Sequence, residues 1–250
     1  MSLLDLTAVS FAYGRGRKVL DGVDLRIEAG RNLGIVGESG SGKTTILRLL
    51  LGLAQPTSGK ITFRDEPLDP HNRPFMRSFR RSVQAVFQDP YSSLDPRQKV
   101  ADVIAEPLRS LKVNTNIGDT VIAALASVDL PPDAANRYPH EFSGGQRQRI
   151  AIARAIVSQP ELVLADEVVS ALDLTTRIRI VDLLKALSEQ TTLVLVSHDI
   201  GFVALLCQDL VILEKGRIVE RGAARDILSA PKHPYTQRLL DSTPRLPDFV

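Results

Sequence analysis

Residues 37–44, Gly37-Glu38-Ser39-Gly40-Ser41-Gly42-Lys43-Thr44, satisfy the pattern G-x-x-x-x-G-K-[ST] at every fixed position. Residues 32–36 before them read as a short strand, and Ile46, Leu47, Leu50 and Leu51 after them recur on one side of a helix. Glycines let such a loop curl until successive N–H groups point inward at phosphate oxygens, and the helix start adds the positive end of its dipole. Lys43 can then reach the β- and γ-phosphates of a nucleotide, and the Thr44 hydroxyl can ligate Mg²⁺. The candidate nucleotide contacts are therefore Gly37, Glu38, Ser39, Gly40, Ser41, Gly42, Lys43 and Thr44, with Thr45 continuing the set into the helix.

Outward from this loop, strand and helix patterns alternate. Strands are predicted at 23–27, 60–63 and 82–87, with a turn signal at Ala29-Gly30. From about residue 89 to 159 the pattern turns helical, with helices expected at 100–111, 117–128 and 144–157, separated by Pro131-Pro132 and Pro139. Alternation then resumes. Residues 162–165 and 193–196 read as strands, the second apolar throughout, as suits a parallel strand buried on both faces. A helical spacing links Leu174, Ile178, Val181, Leu184 and Leu187, and Lys215-Gly216 marks a hairpin. The layout predicts a mostly parallel α/β sheet with a helical subdomain inserted into it.

The chain has 250 residues, 44% of them hydrophobic and 24% charged, which suits one large folded domain and excludes global disorder. A net charge of +2 and 5% aromatic residues argue against nucleic acid as a partner, because phosphate neutralisation and base stacking need more of both. Cys207 is the single cysteine, so an internal disulfide and a cysteine metal cluster are excluded. It is expected to be a small buried hydrophobe in an apolar helical stretch. Residues 1–5 lack the basic flank of a signal peptide, and no apolar run approaches the roughly 18–20 residues of a membrane span. A soluble, cytosolic protein is expected, held at any membrane by its partners.

Asp166-Glu167 closes the strand at 162–165. Burying adjacent acids beside an apolar strand is costly unless a cation or hydrogen bonds compensate. A Mg²⁺ on Asp166 would do so, leaving Glu167 to orient or deprotonate a water attacking a γ-phosphate. Ser143, Gly144, Gly145 and Gln146 open a further helix and form a second anion-binding helix start. One chain cannot fold both helix starts onto one phosphate, whereas two chains arranged head to tail can.

The phosphate loop, Gln88, Phe142-Ser143-Gly144-Gly145-Gln146, Asp166-Glu167, Ser170-Ala171-Leu172-Asp173 and His198 occur in an order that resembles the ABC ATPases, the nucleotide-binding subunits of ABC transporters. Taken singly, Tyr13 could be a half-buried strand aromatic, Gln88 a surface amide and His198 a helix cap; their joint order carries the resemblance. It implies an α/β fold of the P-loop NTPase, RecA-like type, with an N-terminal antiparallel β region and an inserted helical subdomain. The implied division is a nucleotide-binding core over 1–88 and 160–222, a helical signature subdomain over 89–159 and a tail over 223–250.

The resemblance also implies roles. Tyr13 stacks on adenine, and Gln88 contacts Mg²⁺ and the attacking water. Ser143, Gly144, Gly145 and Gln146 cap ATP bound to the opposite subunit, Asp173 crosses the dimer interface, and His198 contacts the γ-phosphate. The catalytic set is Glu167, His198 and Gln88, the metal set Thr44, Gln88 and Asp166, and the cofactors ATP and Mg²⁺. Phe142 and Val168 depart from the family's usual leucine and proline, and Ala165 is smaller than usual, without removing a catalytic group.

Residues 87–97 and the tail His233-Pro234-Tyr235-Thr236-Gln237-Arg238-Leu239-Leu240 are similar to segments of oligopeptide, dipeptide and nickel importer ATPases. Some relatives carry a C-terminal cysteine cluster, which this chain lacks, so it resembles the shorter partner type. The implied partners are transmembrane permease subunits, a second ABC ATPase subunit and an extracytoplasmic substrate-binding protein, with the chain peripheral on the cytoplasmic face of the inner membrane. ATP would close the dimer, the segment after Gln88 would transmit closure, and hydrolysis would reset it. The arginines of 73–81 form a solvated helix face or meet a membrane subunit or acidic headgroups. A soluble ABC-type subunit of a non-transport complex, such as phosphonate degradation, is the alternative reading. A small-molecule kinase or GTPase explains the phosphate loop but not residues 143–146.

Overall fold

A computed structural model describes residues 1–14, 16–170 and 172–242, with Pro90 and Ser92 described by their backbone alone. The strands are β1 (Ser2–Ala12), β2 (Lys18–Glu28), β3 (Leu33–Val36), β4 (Ser58–Phe63), β5 (Glu66–Pro67), β6 (Val83–Val86), β7 (Leu162–Asp166), β8 (Thr192–Ser197), β9 (Asp209–Glu214) and β10 (Arg217–Ala223). The helices are α1 (Lys43–Leu50), α2 (Arg73–Ser82), α3 (Pro90–Ser93), α4 (Val100–Ser110), α5 (Ile117–Ala126), α6 (Gly144–Ile156), α7 (Leu174–Leu187), α8 (Ile200–Ala204), α9 (Ala224–Ser229) and α10 (Pro234–Ser242). The chain divides into two compact units, Met1–Met76 with the chain from Thr192 onward, and Arg77–Thr191.

In the first unit, β3 pairs in parallel with β8 on one side and β9 on the other, and β10 returns antiparallel to β9. Every residue of β3 and of β8 is buried, as suits the apolar run 193–196 within β8 and the apolar residues of β3. The β9–β10 turn uses Lys215 and Gly216 at φ 47° and 81°, the left-handed pair that matches hairpin twist. A separate antiparallel sheet runs in the order β2-β1-β4-β5. Its central strand β1 is absent from the sequence prediction. Ala8, at φ 48°, bulges the strand, and the Asp24 carboxylate accepts its N–H at 2.8 Å. Buried Leu4 and Leu6 lie before the bulge and buried Val9 and Phe11 after it, so the apolar phase slips by one residue.

In the second unit, β6 and β7 pair in parallel, Val83 with Leu162 through Val86 with Ala165. The expected strand at 82–87 is trimmed at both ends: α2 takes Ser82, and the parallel ladder with β7 ends at Val86 before Phe87. The arginines of 73–81 do lie on a helix, α2. Helices α4, α5 and α6 pack against one another, and Val103, Ile104, Leu108, Leu125 and Ile150 on them are buried. They occupy nearly the residues predicted for them; the prolines between them open short 3₁₀ turns at Pro132–Asn136 and Pro139–Glu141. Helices α3 to α6, the expected helical segment, all belong to this unit, whereas α9 and α10 belong to the first.

Cys207 is buried, and desolvation raises its thiol pKa above the usual range. It follows α8 rather than lying within a helix, because α8 ends at Ala204. Among the described residues no helix is long and apolar enough to cross a membrane.

Candidate functional site

The phosphate loop leaves β3 at Val36 and enters α1 at Lys43, the strand–loop–helix order the motif requires. Gly42, just before the helix, has φ 111°, where a side chain would be strained. A Cβ on Gly37 would lie 2.3 Å from the Leu213 carbonyl oxygen and 2.7 Å from Ser41 Oγ. Lys43 Nζ donates to the carbonyls of Gly37 at 2.6 Å and Glu38 at 3.0 Å, holding its charge over the loop. Ser41 Oγ is buried with no hydrogen-bond partner. A buried orphan hydroxyl is costly, and a phosphate oxygen arriving in the loop would satisfy it.

Two other candidates lie in the same unit. The Tyr13 hydroxyl is 3.4 Å from Thr45 Oγ1, so the aromatic stands beside α1. Its ring meets Phe11 edge to face at 4.8 Å, yet the residue is 53% exposed, leaving a surface on which a flat base can stack. His198 is exposed directly after β8, and the Ser197 carbonyl before it accepts the Gly37 N–H at 3.4 Å. The helix cap is not His198 but Asp199, whose carboxylate accepts from the Phe202 N–H at 2.9 Å.

The second unit holds the remaining candidates. Gln88 is exposed in the bend between β6 and α3. Because Val86 pairs with Ala165 in parallel register, Gln88 and Glu167 leave neighbouring strands at the same end, each two residues past the pair. Asp166, the last residue of β7, is buried. Glu167 has φ 45°, a conformation that a non-glycine residue adopts only when its surroundings enforce it. The Ser170 N–H and hydroxyl both donate to its carbonyl, at 3.2 Å and 3.0 Å. Val168 is buried, so the residue in the usual proline position is a packing residue here.

Ser143 caps α6 reciprocally. Its Oγ accepts the Gln146 N–H at 3.3 Å, and Gln146 Oε1 accepts the Ser143 N–H at 2.9 Å. Phe142 is buried with the Arg137 guanidinium 4.3 Å above its ring, which accommodates this departure from leucine. A Cβ on Gly144 would meet nothing within 4 Å, so this chain's own packing does not demand the glycine and an incoming group has room. Gly145 instead abuts Thr176, whose N–H and hydroxyl donate to Asp173 at 3.0 Å and 2.7 Å. Those two bonds hold the Asp173 carboxyl below its ordinary range. The signature helix start and the Asp173 cap therefore meet through one threonine. Ala171, in the same motif, lies outside the described residues.

The donors suit the implied groups. Among the described residues no three His, Cys, Asp or Glu side chains cluster to form a dedicated metal cage. A hydroxyl, an amide and one buried carboxylate (Thr44, Gln88 and Asp166) are hard oxygen donors of the kind that share Mg²⁺ with substrate phosphates. Two residues escaped the sequence reading of the site. Thr176 bears no motif signal, whereas Tyr235 lay in the tail motif without an assigned contact; its hydroxyl accepts the Glu38 N–H at 2.8 Å.

Residues 20–170 match the family described as ABC transporter, and residues 219–248 match the oligopeptide/dipeptide transporter C-terminal region. The dipeptide transport ATP-binding protein DppF of Escherichia coli (strain K12) is 42% identical over 243 residues, covering 94% of this chain and 72% of that protein. The oligopeptide transport ATP-binding protein OppF of Lactococcus lactis subsp. lactis (strain IL1403) is 42% identical, covering 91% and 72%. Among solved structures, cbiO1 from Clostridium perfringens, part of the ABC transporter complex cbiONQ, superposes with TM-score 0.81 at 27% identity, covering 92% of this chain and 91% of that one. The ATP-binding cassette MJ0796, in a dimeric post-hydrolysis state bound to ADP and Pi, gives TM-score 0.80 at 30% identity, covering 89% and 99%. The chain belongs to the ABC transporter family, with an ATPase domain followed by the C-terminal region of its oligopeptide/dipeptide branch.

Proposed function

We propose that this chain is the ATP-hydrolysing subunit of a peptide importer, peripheral on the cytoplasmic face of the membrane. The observation that carries the reading is a phosphate loop with a buried, unsatisfied hydroxyl and a poised lysine, in a chain whose tail matches the oligopeptide/dipeptide branch. The amides of residues 37–45 and Lys43 bind the phosphates, and Tyr13 supports the base. Glu167 accepts the proton of the attacking water, which Gln88 contacts, and His198 contacts the γ-phosphate. Thr44, Gln88 and Asp166 would hold Mg²⁺, which supplies neutralisation of phosphate charge.

Ser143, Gly144, Gly145 and Gln146 then serve the nucleotide held by a second ATPase subunit, with Asp173 at the interface between them. In this reading, 89–159 acts as the signature subdomain, 1–88 with 160–222 as the nucleotide core and 223–250 as the tail. Permease subunits supply the membrane crossing, and an extracytoplasmic binding protein delivers the peptide.

The test is to purify the chain with its neighbouring membrane subunits in lipid nanodiscs. Peptide-loaded binding protein should stimulate ATP hydrolysis. Recovery in a soluble enzyme complex, or stimulation by nickel and not by peptide, would overturn the peptide-importer assignment.

A further inference from the structure

The C-terminal tail does more than trail from the fold. Helix α10 and the two residues before it, Lys232 and His233, are secured by three contacts to β9 and β10. The Glu220 carboxylate on β10 accepts the Lys232 N–H at 2.9 Å and the His233 N–H at 3.0 Å. Burial pushes that carboxyl up, but those two donors help hold it below its ordinary range. Arg238 lies 3.7 Å from Glu214 at the end of β9. His233 Nδ1 accepts the Tyr235 N–H at 3.2 Å, which fixes the first turn of the helix.

This anchoring directs one side chain. Tyr235 is 3% exposed, and its hydroxyl accepts the Glu38 N–H at 2.8 Å. Glu38 is the second residue of the phosphate loop, and its carbonyl is one of the two that receive Lys43 Nζ. The Tyr235 hydroxyl thus grips the peptide unit before Glu38, next to the carbonyl on which the phosphate-binding lysine rests. The opposite flank is held by the β9–β10 turn, where the Gly216 N–H donates to the Ser41 carbonyl at 2.9 Å. Without the tyrosine hydroxyl, a partly buried N–H would lose its acceptor and that end of the loop would relax.

We propose that Tyr235 is a positioning residue for the phosphate loop, and that docking of α10 and occupancy of the nucleotide site are thermodynamically linked. The proposal rests on the ATP-binding reading above. Linkage is reciprocal: what the docked tail adds to ATP affinity, bound ATP returns as tail docking.

The experiment compares the full chain with Tyr235→Phe, which keeps the buried ring and removes only the hydroxyl. A fluorescent ATP analogue with Mg²⁺ measures affinity, steady-state hydrolysis separates KM from kcat, and amide exchange reads residues 37–39. The variant should bind roughly three- to tenfold more weakly, about what one neutral hydrogen bond contributes. KM should rise with kcat within twofold, and exchange should quicken at 37–39 while β3 and β8 stay protected. Unchanged affinity and exchange would overturn the proposal, as would loss of protection spread evenly over the unit. Should Tyr235→Phe not fold, Glu220→Ala loosens the tail at a distance from the loop and should shift affinity and exchange at 37–39 in the same direction; no shift there counts against the linkage. Failure of the unaltered chain to bind ATP sinks the underlying reading instead.

Discussion

A methyl group placed on Gly145 would lie 2.2 Å from Cγ2 of Thr176, and Thr176 is itself tied to Asp173 by its N–H and its hydroxyl. A β-branched side chain whose hydroxyl and backbone N–H are both bound to one carboxylate has little freedom to turn aside. Gly145→Ala should therefore displace the start of α7 together with the signature helix start. ATP hydrolysis should fall at least tenfold while nucleotide affinity of the isolated chain stays within twofold. Adding Thr176→Ser removes the clashing methyl and should restore part of the activity; no recovery would show that the glycine serves something other than this contact.

Lys43→Ala removes the ammonium that spans the Gly37 and Glu38 carbonyls. A ligand present at a hundred times its Kd stabilises its folded receptor by about 2.7 kcal/mol. Mg-ATP should accordingly raise the melting temperature of the unaltered chain by several degrees and leave that of the variant nearly unmoved. Equal shifts in both would remove the lysine from the site.

Glu167→Gln keeps size and polarity but replaces the basic carboxylate with a non-basic amide. Hydrolysis should drop by roughly 10²–10⁴, the usual worth of a general base. An ATP-dependent dimer should persist on size-exclusion chromatography. Turnover at the original rate would require another base.

Asp173 offers a test in pH. Its folded-state pKa is depressed, first by the Thr176 N–H and then by the Thr176 hydroxyl. Such a group stabilises the fold above its unfolded pKa and loses that contribution as pH falls through the folded value. In chemical denaturation, the stability gap between the unaltered chain and Asp173→Ala should be constant from about pH 5 to 8 and narrow below about pH 4. A gap that widened on acidification would contradict the cap.

Much of the candidate site is legible in sequence because backbone-driven features carry local signals. The phosphate loop needs its glycines and lysine at fixed spacing, and the signature needs a capping serine three residues before a glutamine; both motifs occur, and the structure forms both geometries. What stayed hidden is what depends on distant partners. Strand β1 escaped because the bulge at Ala8 breaks the two-residue alternation that announces a strand, and only pairing with β2 and β4 reveals it. Thr176 carries no local sign of its contact with Gly145, 31 positions earlier in the chain. Tyr235 reaches Glu38 across a sequence separation of 197, which no periodicity encodes.

The solitary cysteine has a practical consequence. Cys207 is buried, and burial raises its thiol pKa, which disfavours the reactive thiolate. The unaltered chain should therefore label slowly with maleimide and methanethiosulfonate reagents. New cysteines engineered onto α6 and α10 could carry spin labels or fluorophores without first deleting the native one. Distances between such reporters would then follow the chain through its nucleotide cycle with little background from the core.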